Sequence, residues 1–374
     1  MCTQYNTRMV KRTSGRCRGG APGWGRLRGV AVLLILLAWA GSACRGPNEG
    51  QAAVQQPTAT VPAPFSVART TVTAGQIFHP SGIAVDAQGN FYVTDSVNNR
   101  VQRFDAEGGF LNGWGSQGSG EGQFNEPNGI AVAADGTVYV VDTRNARVQT
   151  FTADGEFLGQ WGSQGSGEGQ FSSPEGLAVA GDGTVYVADS GNSRIQRFTA
   201  GGAFLNEWGR GQGNDEGQFL FPYGLAVAGD GTVYVADTDN DRIQRFTADG
   251  VFVMQWGVYG DYEGEVYEPR GVAVAADGTV YVADTRNHRV QQFTADGAFL
   301  NQWGSEGSGP GRFSWPDGLA VASNGTVYLV DSSRAPRVAA RASGGPRGFG
   351  PQPTSLHAGS RADSLLSVRH SCHA

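Results

Sequence analysis

Short apolar segments separated by glycine-containing turns recur along most of the chain. Within the stretch Gly176–Gly209, the segment Thr184–Asp189 (TVYVAD) places three apolar residues in succession. Such a run is typical of a strand whose two faces are both covered, because a strand open to water alternates apolar and polar residues. The Gly-Asp-Gly sequence before it indicates a hairpin turn. We interpret the stretch as four short strands, namely Gly176–Val179, Thr184–Asp189, Arg194–Phe198 and Ala203–Gly209.

The same pattern occurs six times, with successive spacings of 47, 47, 48, 47 and 47 residues. The copies begin at Gly82, Gly129, Gly176, Gly224, Gly271 and Gly318. A fixed period of this length is typical of stacked supersecondary units, and four strands per unit match one blade of a β-propeller. The predicted fold class is therefore all-β: a six-bladed β-propeller of four-stranded blades over residues 65–341.

The two ends of this repeat region are incomplete in a complementary way. Phe65–Thr73 matches the fourth strand of a repeat whose first three strands are absent upstream. The sixth copy keeps Thr326–Asp331 and then departs, with Arg337–Arg341 (RVAAR) near the place of the third strand. We expect the N-terminal strand to close the ring, which removes exposed sheet edges. No strong strand signal follows Ser332, and residues 342–374 are expected to be a disordered or aberrant tail.

The N-terminal region has the features of an export signal. A basic segment precedes the apolar run Val30–Ala40, and small residues lead to Cys44. We assign residues 1–44 to a signal peptide and the Pro- and Gln-rich residues 45–64 to a flexible linker. Cys44 resembles the lipidated first residue of bacterial lipoproteins, although cleavage after Ala43 with an incidental Cys44 is the alternative. We expect an exported protein that is lipid-anchored at the outer face of the membrane.

Charge and cysteine content exclude several classes of function. Residues 75–331 contain 13 Arg, no Lys and 32 acidic residues, so their net charge is 13 − 32 = −19. A domain this acidic is a poor binder of phosphate backbones, which argues against a nucleic-acid partner. Cys2, Cys17, Cys44 and Cys372 all lie outside the repeats, which excludes a disulfide framework or a cysteine metal site in the folded part.

The repeat motif resembles a known family. Pro174-Glu175-Gly176-Leu177 and the segment Asp182–Ile195 (DGTVYVADSGNSRI) are similar to the NHL repeat. The resemblance covers about residues 65–341 and implies a six-bladed β-propeller, a fold that hosts enzymes, scaffolds and sensors alike.

Residues that recur in every regular copy are interpreted as structural. The Asp that ends the second strand and the Arg five residues later form such a pair, as in Asp142 and Arg147, or Asp189 and Arg194. The Trp that ends each fourth strand is likewise interpreted as core between blades. A role repeated in each unit belongs to packing, whereas a binding site needs asymmetry.

Function is therefore expected where the copies differ. The middle residue of the Pro-x-Gly motif varies as Ser81, Asn128, Glu175, Tyr223, Arg270 and Asp317. The turn after the second strand varies as Val97, Arg144, Gly191, Asp239, Arg286 and Ser333, with His288 two residues after Arg286. Both segments should lie at the same end of each blade, around the mouth of the central channel. The candidate ligand-binding rim comprises Asn128, Arg144, Glu175, Tyr223, Asp239, Arg270, Arg286, His288 and Asp317.

The rim chemistry leads to a main hypothesis and two alternatives. The main hypothesis is a non-enzymatic, monomeric cell-surface protein without a cofactor that recognises a protein, peptide or glycan. The first alternative is a metal-dependent lyase or hydrolase, because NHL propellers resemble the peptidyl-hydroxyglycine lyase, which places zinc on several histidines. Here the repeats contain only His79 and His288, too few for a three-histidine zinc site, and no metal ligands are assigned. The second alternative is a purely structural envelope protein.

Overall fold

The computed structural model describes residues 67–70, 77–209, 211–332 and 337–341. All of them belong to one compact unit, Val61–Ala374. The predicted signal peptide, Cys44, the linker, Ser333 and the tail lie outside the described residues. Within the described ranges, no helix has the length and apolar character needed to cross a membrane.

The described chain forms six antiparallel four-stranded sheets. The first strand along the chain is β1 (Val67–Thr70). The first complete repeat contains β2 (Pro80–Val85), β3 (Phe91–Asp95), β4 (Arg100–Phe104) and β5 (Phe110–Trp114). The second contains β6 (Pro127–Val132), β7 (Val138–Asp142), β8 (Arg147–Phe151) and β9 (Phe157–Trp161). The third contains β10 (Pro174–Val179), β11 (Val185–Asp189), β12 (Arg194–Phe198) and β13 (Phe204–Trp208).

The remaining repeats follow the same order. The fourth contains β14 (Pro222–Val227), β15 (Val233–Asp237), β16 (Arg242–Phe246) and β17 (Phe252–Trp256). The fifth contains β18 (Pro269–Val274), β19 (Val280–Asp284), β20 (Arg289–Phe293) and β21 (Phe299–Trp303). The last strands are β22 (Pro316–Val321), β23 (Val327–Asp331) and β24 (Arg337–Arg341). Short 3₁₀ turns follow the second strands of repeats two to five, at Thr143–Asn145, Ser190–Asn192, Thr238–Asn240 and Thr285–Asn287.

The prediction of an all-β propeller with four-stranded blades is confirmed. The predicted count of six blades is corrected to five, each built from the four consecutive strands of one repeat. The sixth sheet is a composite in which β1 pairs with β24, and Val67 lies opposite Arg341. The strand β24 forms where the sequence carries no strong strand signal, because pairing with both β23 and β1 gives its backbone partners on two sides.

The blades pack face to face through their second and third strands. All five residues of Val185–Asp189 are buried, as the consecutive apolar residues predict. The Trp208 ring, at the end of a fourth strand, lies 6.1 Å from Tyr186 of its own blade and 5.8 Å from Phe246 of the next. The interpretation of these tryptophans as core between blades is therefore confirmed.

The recurring Asp–Arg pairs are structural, as predicted. Asp189 Oδ2 accepts a 2.7 Å hydrogen bond from Arg194 Nε, and Asp189 Oδ1 accepts one of 2.7 Å from the backbone N–H of Ser172. The Arg194 guanidinium donates in turn to the carbonyls of Gly167 and Gln170. Each pair thus fixes the crossing that leads into the first strand of its own repeat.

The six first strands stand side by side around a central channel in a closed ring. They approach so closely that a Cβ on Gly224 would lie 2.2 Å from the carbonyl oxygen of Arg270 on the neighbouring strand. A hydroxyl after each second strand also donates to the proline carbonyl of the next repeat. These bonds join Ser96 to Pro127, Thr143 to Pro174, Ser190 to Pro222, Thr238 to Pro269, Thr285 to Pro316 and Ser332 to Pro80. The last bond connects the end of the repeat array to its beginning.

Candidate active site at the channel mouth

A β-bulge at every Pro-x-Gly motif aims the variable side chain toward the channel. In the third repeat, Pro174 pairs with Asp189 and Leu177 with Val187, so the register shifts across the two residues between them. Bulges re-aim side chains in this way. The backbone N–H of Asp239 donates to the carbonyl of Leu220, which ties the turn after the second strand to the crossing before the first. The two variable segments therefore meet at one end of the blade, as predicted.

Six variable residues form what we call the channel ring: Ser81, Asn128, Glu175, Tyr223, Arg270 and Asp317. Residues three places apart in a ring of six face each other. Tyr223 reaches across the channel, and its hydroxyl lies 3.1 Å from Ser81 Oγ. By the same order, Glu175 faces Asp317 across the axis.

The channel ring separates spaces of different size. A cavity of about 890 Å³ opens at the mouth, whereas the narrower space further along the strands measures about 70 Å³. The mouth cavity is lined by His79, Pro80, Ser81, Ser96, Val97, Glu126, Asn128, Tyr223, Arg270, Ser314, Trp315, Asp317 and Ser332. Most of these residues come from the first and sixth copies of the repeat, so the cavity lies over the joint where the ring closes.

Asp317 is the buried carboxylate of this cavity. Its side chain is 4% exposed, and burial raises its pKa to about 6 against the opposing effects of Arg270 and Ser332. Asp317 Oδ2 lies 3.5 Å from Arg270 Nη1 and 3.3 Å from Ser332 Oγ. Asp317 Oδ1 has no hydrogen-bond partner among the described residues. At neutral pH this group is mostly ionised, yet it holds a proton more readily than an ordinary aspartate, as a general base requires.

Arg270 places a hydrogen-bond donor beside that carboxylate, and Tyr223 adds a hydroxyl group to the same cavity. The Arg270 guanidinium carbon lies 4.8 Å from the Tyr223 ring centroid and 5.3 Å from that of Trp315. Burial alone would lower the Arg270 pKa, but Asp317, Tyr223 and Glu175 raise it, so the cation persists. Burial, together with Asp317 and Glu175, raises the Tyr223 pKa well above its usual value, and its hydroxyl stays protonated.

Glu175 lines the narrow part of the channel. Its Oε2 accepts a 2.5 Å hydrogen bond from Asn128 Nδ2. Burial raises its pKa to about 8, with a further contribution from Asp317. Glu175 therefore carries a proton at neutral pH, and the ring contains one ionised and one neutral carboxyl group facing each other.

The sequence of the repeat identifies the family to which the chain belongs. The NHL repeat family matches residues 79–104, 124–151, 171–198, 219–246 and 266–293. The chain belongs to the NHL-repeat β-propeller family. A search of curated protein sequences finds no match.

Solved structures with the same architecture include enzymes. Virginiamycin B lyase from Staphylococcus aureus superposes with a TM-score of 0.50 at 16% identity, covering 71% of this chain and 82% of that one. A streptogramin B lyase gives 0.52 at 13% identity, covering 74% and 97%. A gluconolactonase from Xanthomonas campestris gives 0.56 at 19% identity, covering 75% and 90%.

These similarities show the fold alone, but they correct one expectation. The prediction of a non-enzymatic protein, which the small number of histidines favoured, is overturned, because solved structures with this architecture include lyases and a gluconolactonase. The mouth cavity is therefore a candidate active site.

Five of the predicted rim residues do not line the mouth cavity: Glu175 lines only the narrow space, and the other four lie away from the cavity. Arg144 pairs with Glu126, and Arg286 Nε lies 2.7 Å from Glu268 Oε2. The Arg286 guanidinium also stands 4.4 Å from the Trp315 ring centroid. Asp239 is exposed on its 3₁₀ turn. His288 adopts a left-handed backbone (φ 56°), and its Nδ1 lies 2.8 Å from the carbonyl oxygen of Ser314.

The described residues do not provide the set of ligands for the zinc site that the resemblance suggests. His79 lines the mouth cavity, whereas His288 is held by Ser314. In the ranges that the structure describes, no three His, Cys, Asp or Glu side chains are grouped so as to hold a metal ion. We therefore derive no step through a metal.

Sequence reasoning missed part of the lining of the cavity, above all Trp315. A signal was present, because the other tryptophans of the repeats all end fourth strands, whereas Trp315 directly precedes a Pro-x-Gly motif. Ser96 and Ser332 were missed because their hydroxyls belong to a position that recurs in every repeat.

Proposed function

We propose that this NHL propeller is an enzyme that cleaves an ester or lactone bond, by hydrolysis or elimination, at the mouth of the central channel. The observation that carries the proposal is Asp317: a buried carboxylate with a raised pKa and an unpartnered oxygen at the bottom of a large cavity. Perturbed titratable groups in a well-formed cavity mark candidate active sites.

The neighbouring donors fit the chemistry of a carbonyl substrate. Asp317 would accept a proton, either from water that attacks the carbonyl carbon or from a carbon next to the carbonyl group. Arg270 and the Tyr223 hydroxyl would donate hydrogen bonds to the oxygen on which negative charge develops. The ionised base and the two donors lie within one cavity, as both hydrolases and lyases of this kind require.

The enzymes with the same fold support the reaction class without fixing it. One is a lyase and another a gluconolactonase, and the lyase has also been solved as a catalytically inactive variant with quinupristin. The metal-dependent form of the hypothesis predicts that chelation abolishes activity. An activity that survives EDTA would favour the residue-only chemistry described here.

The test measures cleavage of three probes by the purified protein: glucono-1,5-lactone, quinupristin and p-nitrophenyl acetate. We expect turnover of at least one probe and a loss of about 10²-fold or more in Asp317→Asn, the usual range for removal of a general base. The matched control is Glu168→Gln, which alters an exposed carboxylate on a crossing and should leave the rate unchanged. Failure of the wild-type protein on all three probes, or equal rates for Asp317→Asn, would contradict the proposal.

The remaining expectations about the protein stay proposals. We propose that the composite sheet of β1 and β22–β24 acts as a sixth blade. We also propose that the protein is exported, monomeric and lipid-anchored through Cys44. Palmitate labelling of the wild-type protein and of Cys44→Ala tests the anchor, and absence of incorporation into the wild-type protein refutes it.

A further inference from the structure

We propose that the crossing between the fourth and fifth repeats, residues 257–268, is a docking site for an Arg- or Lys-rich peptide segment of a partner protein. We call this segment the tyrosine crossing. None of its residues lines the mouth cavity, and the docking site does not depend on the proposed function. Exposed aromatic side chains, local negative charge and a comparison with the other crossings of the chain point to it.

The tyrosine crossing exposes three large apolar or aromatic side chains within five residues. Val258 is 62% exposed, Tyr259 68% and Tyr262 76%, and Tyr262 is the most exposed large hydrophobic residue of the described ranges. The Tyr267 ring supports Tyr259 from one side, with the ring centroids 4.9 Å apart and the planes at 73°. Aromatic side chains are enriched at protein interfaces, and an exposed apolar cluster marks a candidate interaction site.

The other crossings show that the fold does not need these side chains. The parallel bridge between Tyr259 and Val266 recurs between Gln117 and Phe124 in the crossing into the second repeat. The two crossings can therefore be aligned position by position. Four exposed positions differ: Val258, Tyr259, Asp261 and Tyr262 stand where the other crossing has Ser116, Gln117, Ser119 and Gly120.

The backbone of the tyrosine crossing is held by a group that recurs in the repeats. Arg289 Nη1 donates to the carbonyl oxygen of Asp261 at 2.7 Å, and Arg289 Nη2 donates to that of Tyr262 at 2.8 Å. Arg147 makes the two equivalent bonds in the crossing into the second repeat, both at 2.8 Å. The tyrosines are therefore carried by a loop whose shape is set without them. A loop that is already ordered binds a partner at a smaller entropic cost.

Negative charge surrounds the exposed rings. The tyrosine crossing contains four acidic residues and no basic one, a net charge of −4, whereas the crossings at 115–126, 162–173, 209–221 and 304–315 carry −2, −1, −1 and 0. Glu268 is paired with Arg286 at 2.7 Å, but among the described residues no cation pairs with Asp261 or Glu263. Exposed aromatic rings with carboxylates beside them bind Arg or Lys through cation–π and ionic contacts together.

The same charge argues against other occupants. A second copy of this chain would bring another repeat region of net charge −19, and like charges oppose the contact. Nucleic acid and anionic membrane surfaces are repelled for the same reason. A neutral glycan would stack on the tyrosines but would gain no ionic contact from the carboxylates. A basic peptide uses both features of the surface.

The experiment measures binding of a fluorescein-labelled peptide of alternating Arg and Ser to the full chain by fluorescence anisotropy. The variant Val258→Ser/Tyr259→Gln/Asp261→Ser/Tyr262→Gly gives the tyrosine crossing the side chains of the crossing into the second repeat, so it should fold. We expect it to bind the peptide about 10-fold or more weakly, because buried aromatic contacts dominate such interfaces.

The matched control is Glu121→Gln/Glu168→Gln, which removes two exposed carboxylates from other crossings. It removes more charge than the crossing variant does, yet its affinity should stay within about twofold of the wild-type protein, because isolated exposed charges contribute little. Tyr259→Gln/Tyr262→Gly keeps every carboxylate. It should lose affinity several-fold while binding stays as sensitive to NaCl as in the wild-type protein.

The outcomes separate this docking site from the proposed function. Absence of peptide binding by the wild-type protein overturns the docking site, and so does an equal loss in the crossing variant and the control, which would attribute binding to the overall charge. Binding of maltoheptaose that the crossing variant loses, without binding of the Arg peptide, overturns it in favour of a glycan. Turnover of the ester and lactone probes should be the same in the crossing variant and the wild-type protein, so either proposal can fail alone.

Discussion

Replacing Glu175 by Gln should stabilise the protein at neutral pH and leave its stability in acid unchanged. Glu175 is buried in the channel ring, where burial raises its pKa from 4.5 to about 8. The folded state therefore keeps a proton that the unfolded chain releases. Gln is neutral at every pH and can still accept the hydrogen bond from Asn128. The substitution thus removes the cost of burying an ionisable group without removing its partner.

The direction and size of this stability change follow from the pKa values of Glu175 in the unfolded and folded states. Any stability linked to this proton is fully present below the unfolded pKa of 4.5 and is lost as pH rises through the folded pKa of about 8. Each pKa unit corresponds to about 1.4 kcal/mol, and pH 7 lies 2.5 units above 4.5. The free energy of unfolding of Glu175→Gln should therefore be about 3 kcal/mol higher than that of the wild-type protein at pH 7. Near pH 4.5 the two proteins should differ little.

Urea unfolding followed by tryptophan fluorescence at several pH values between 4.5 and 8.5 measures this difference. The control Glu168→Gln, at an exposed position, should stay within about 0.5 kcal/mol of the wild-type protein throughout. A stability difference between Glu175→Gln and the wild-type protein that does not grow with pH would refute the claim that the channel ring holds a protonated carboxyl group.

Two further predictions concern the ring of first strands. Gly224→Ala should destabilise the protein by about 1–3 kcal/mol or more in urea unfolding, because the new Cβ would lie 2.2 Å from a main-chain oxygen of the next strand. Gly229→Ala, in a hairpin turn with no atom within 4 Å, is its near-neutral control, and equal effects would argue against the close approach of the strands. Ser332→Ala should cost about 1–3 kcal/mol, because it leaves the Pro80 carbonyl without its hydroxyl donor. An unchanged unfolding midpoint for Ser332→Ala would show that this bond does not stabilise the closure of the ring.

Much of the fold could be predicted because the same turn residues and the same apolar strand residues recur in each repeat. The strand segments of the third repeat agree with the structure to within one residue or two, since Gly-Asp-Gly turns and the run of apolar residues at Val185–Val187 fix hairpin and burial together. The strand β24 could not be found in this way. Its residues lack most of the repeat pattern, although the incomplete repeats at the two ends correctly predicted that the N-terminal strand closes the ring, as β1 does by pairing with β24.

The variable Pro-x-Gly residues were also predictable, because a site must break the symmetry of the repeat. What the sequence could not show was which of these residues act together. The bond between Tyr223 and Ser81 joins positions 142 residues apart, and it follows from the order of strands around the ring rather than from any local motif. The raised pKa of Asp317 likewise depends on burial at the joint of the ring, which no local sequence reveals.

The most direct test of the central claim is the pH dependence of kcat/KM for whichever probe the protein cleaves best. If Asp317 is the general base, kcat/KM will rise with pH through a midpoint near 6, and Asp317→Asn will lose this dependence together with about 10²-fold or more of the rate. A profile without a transition near pH 6, or a variant that keeps both the wild-type rate and its pH dependence, would contradict an active site at the channel mouth.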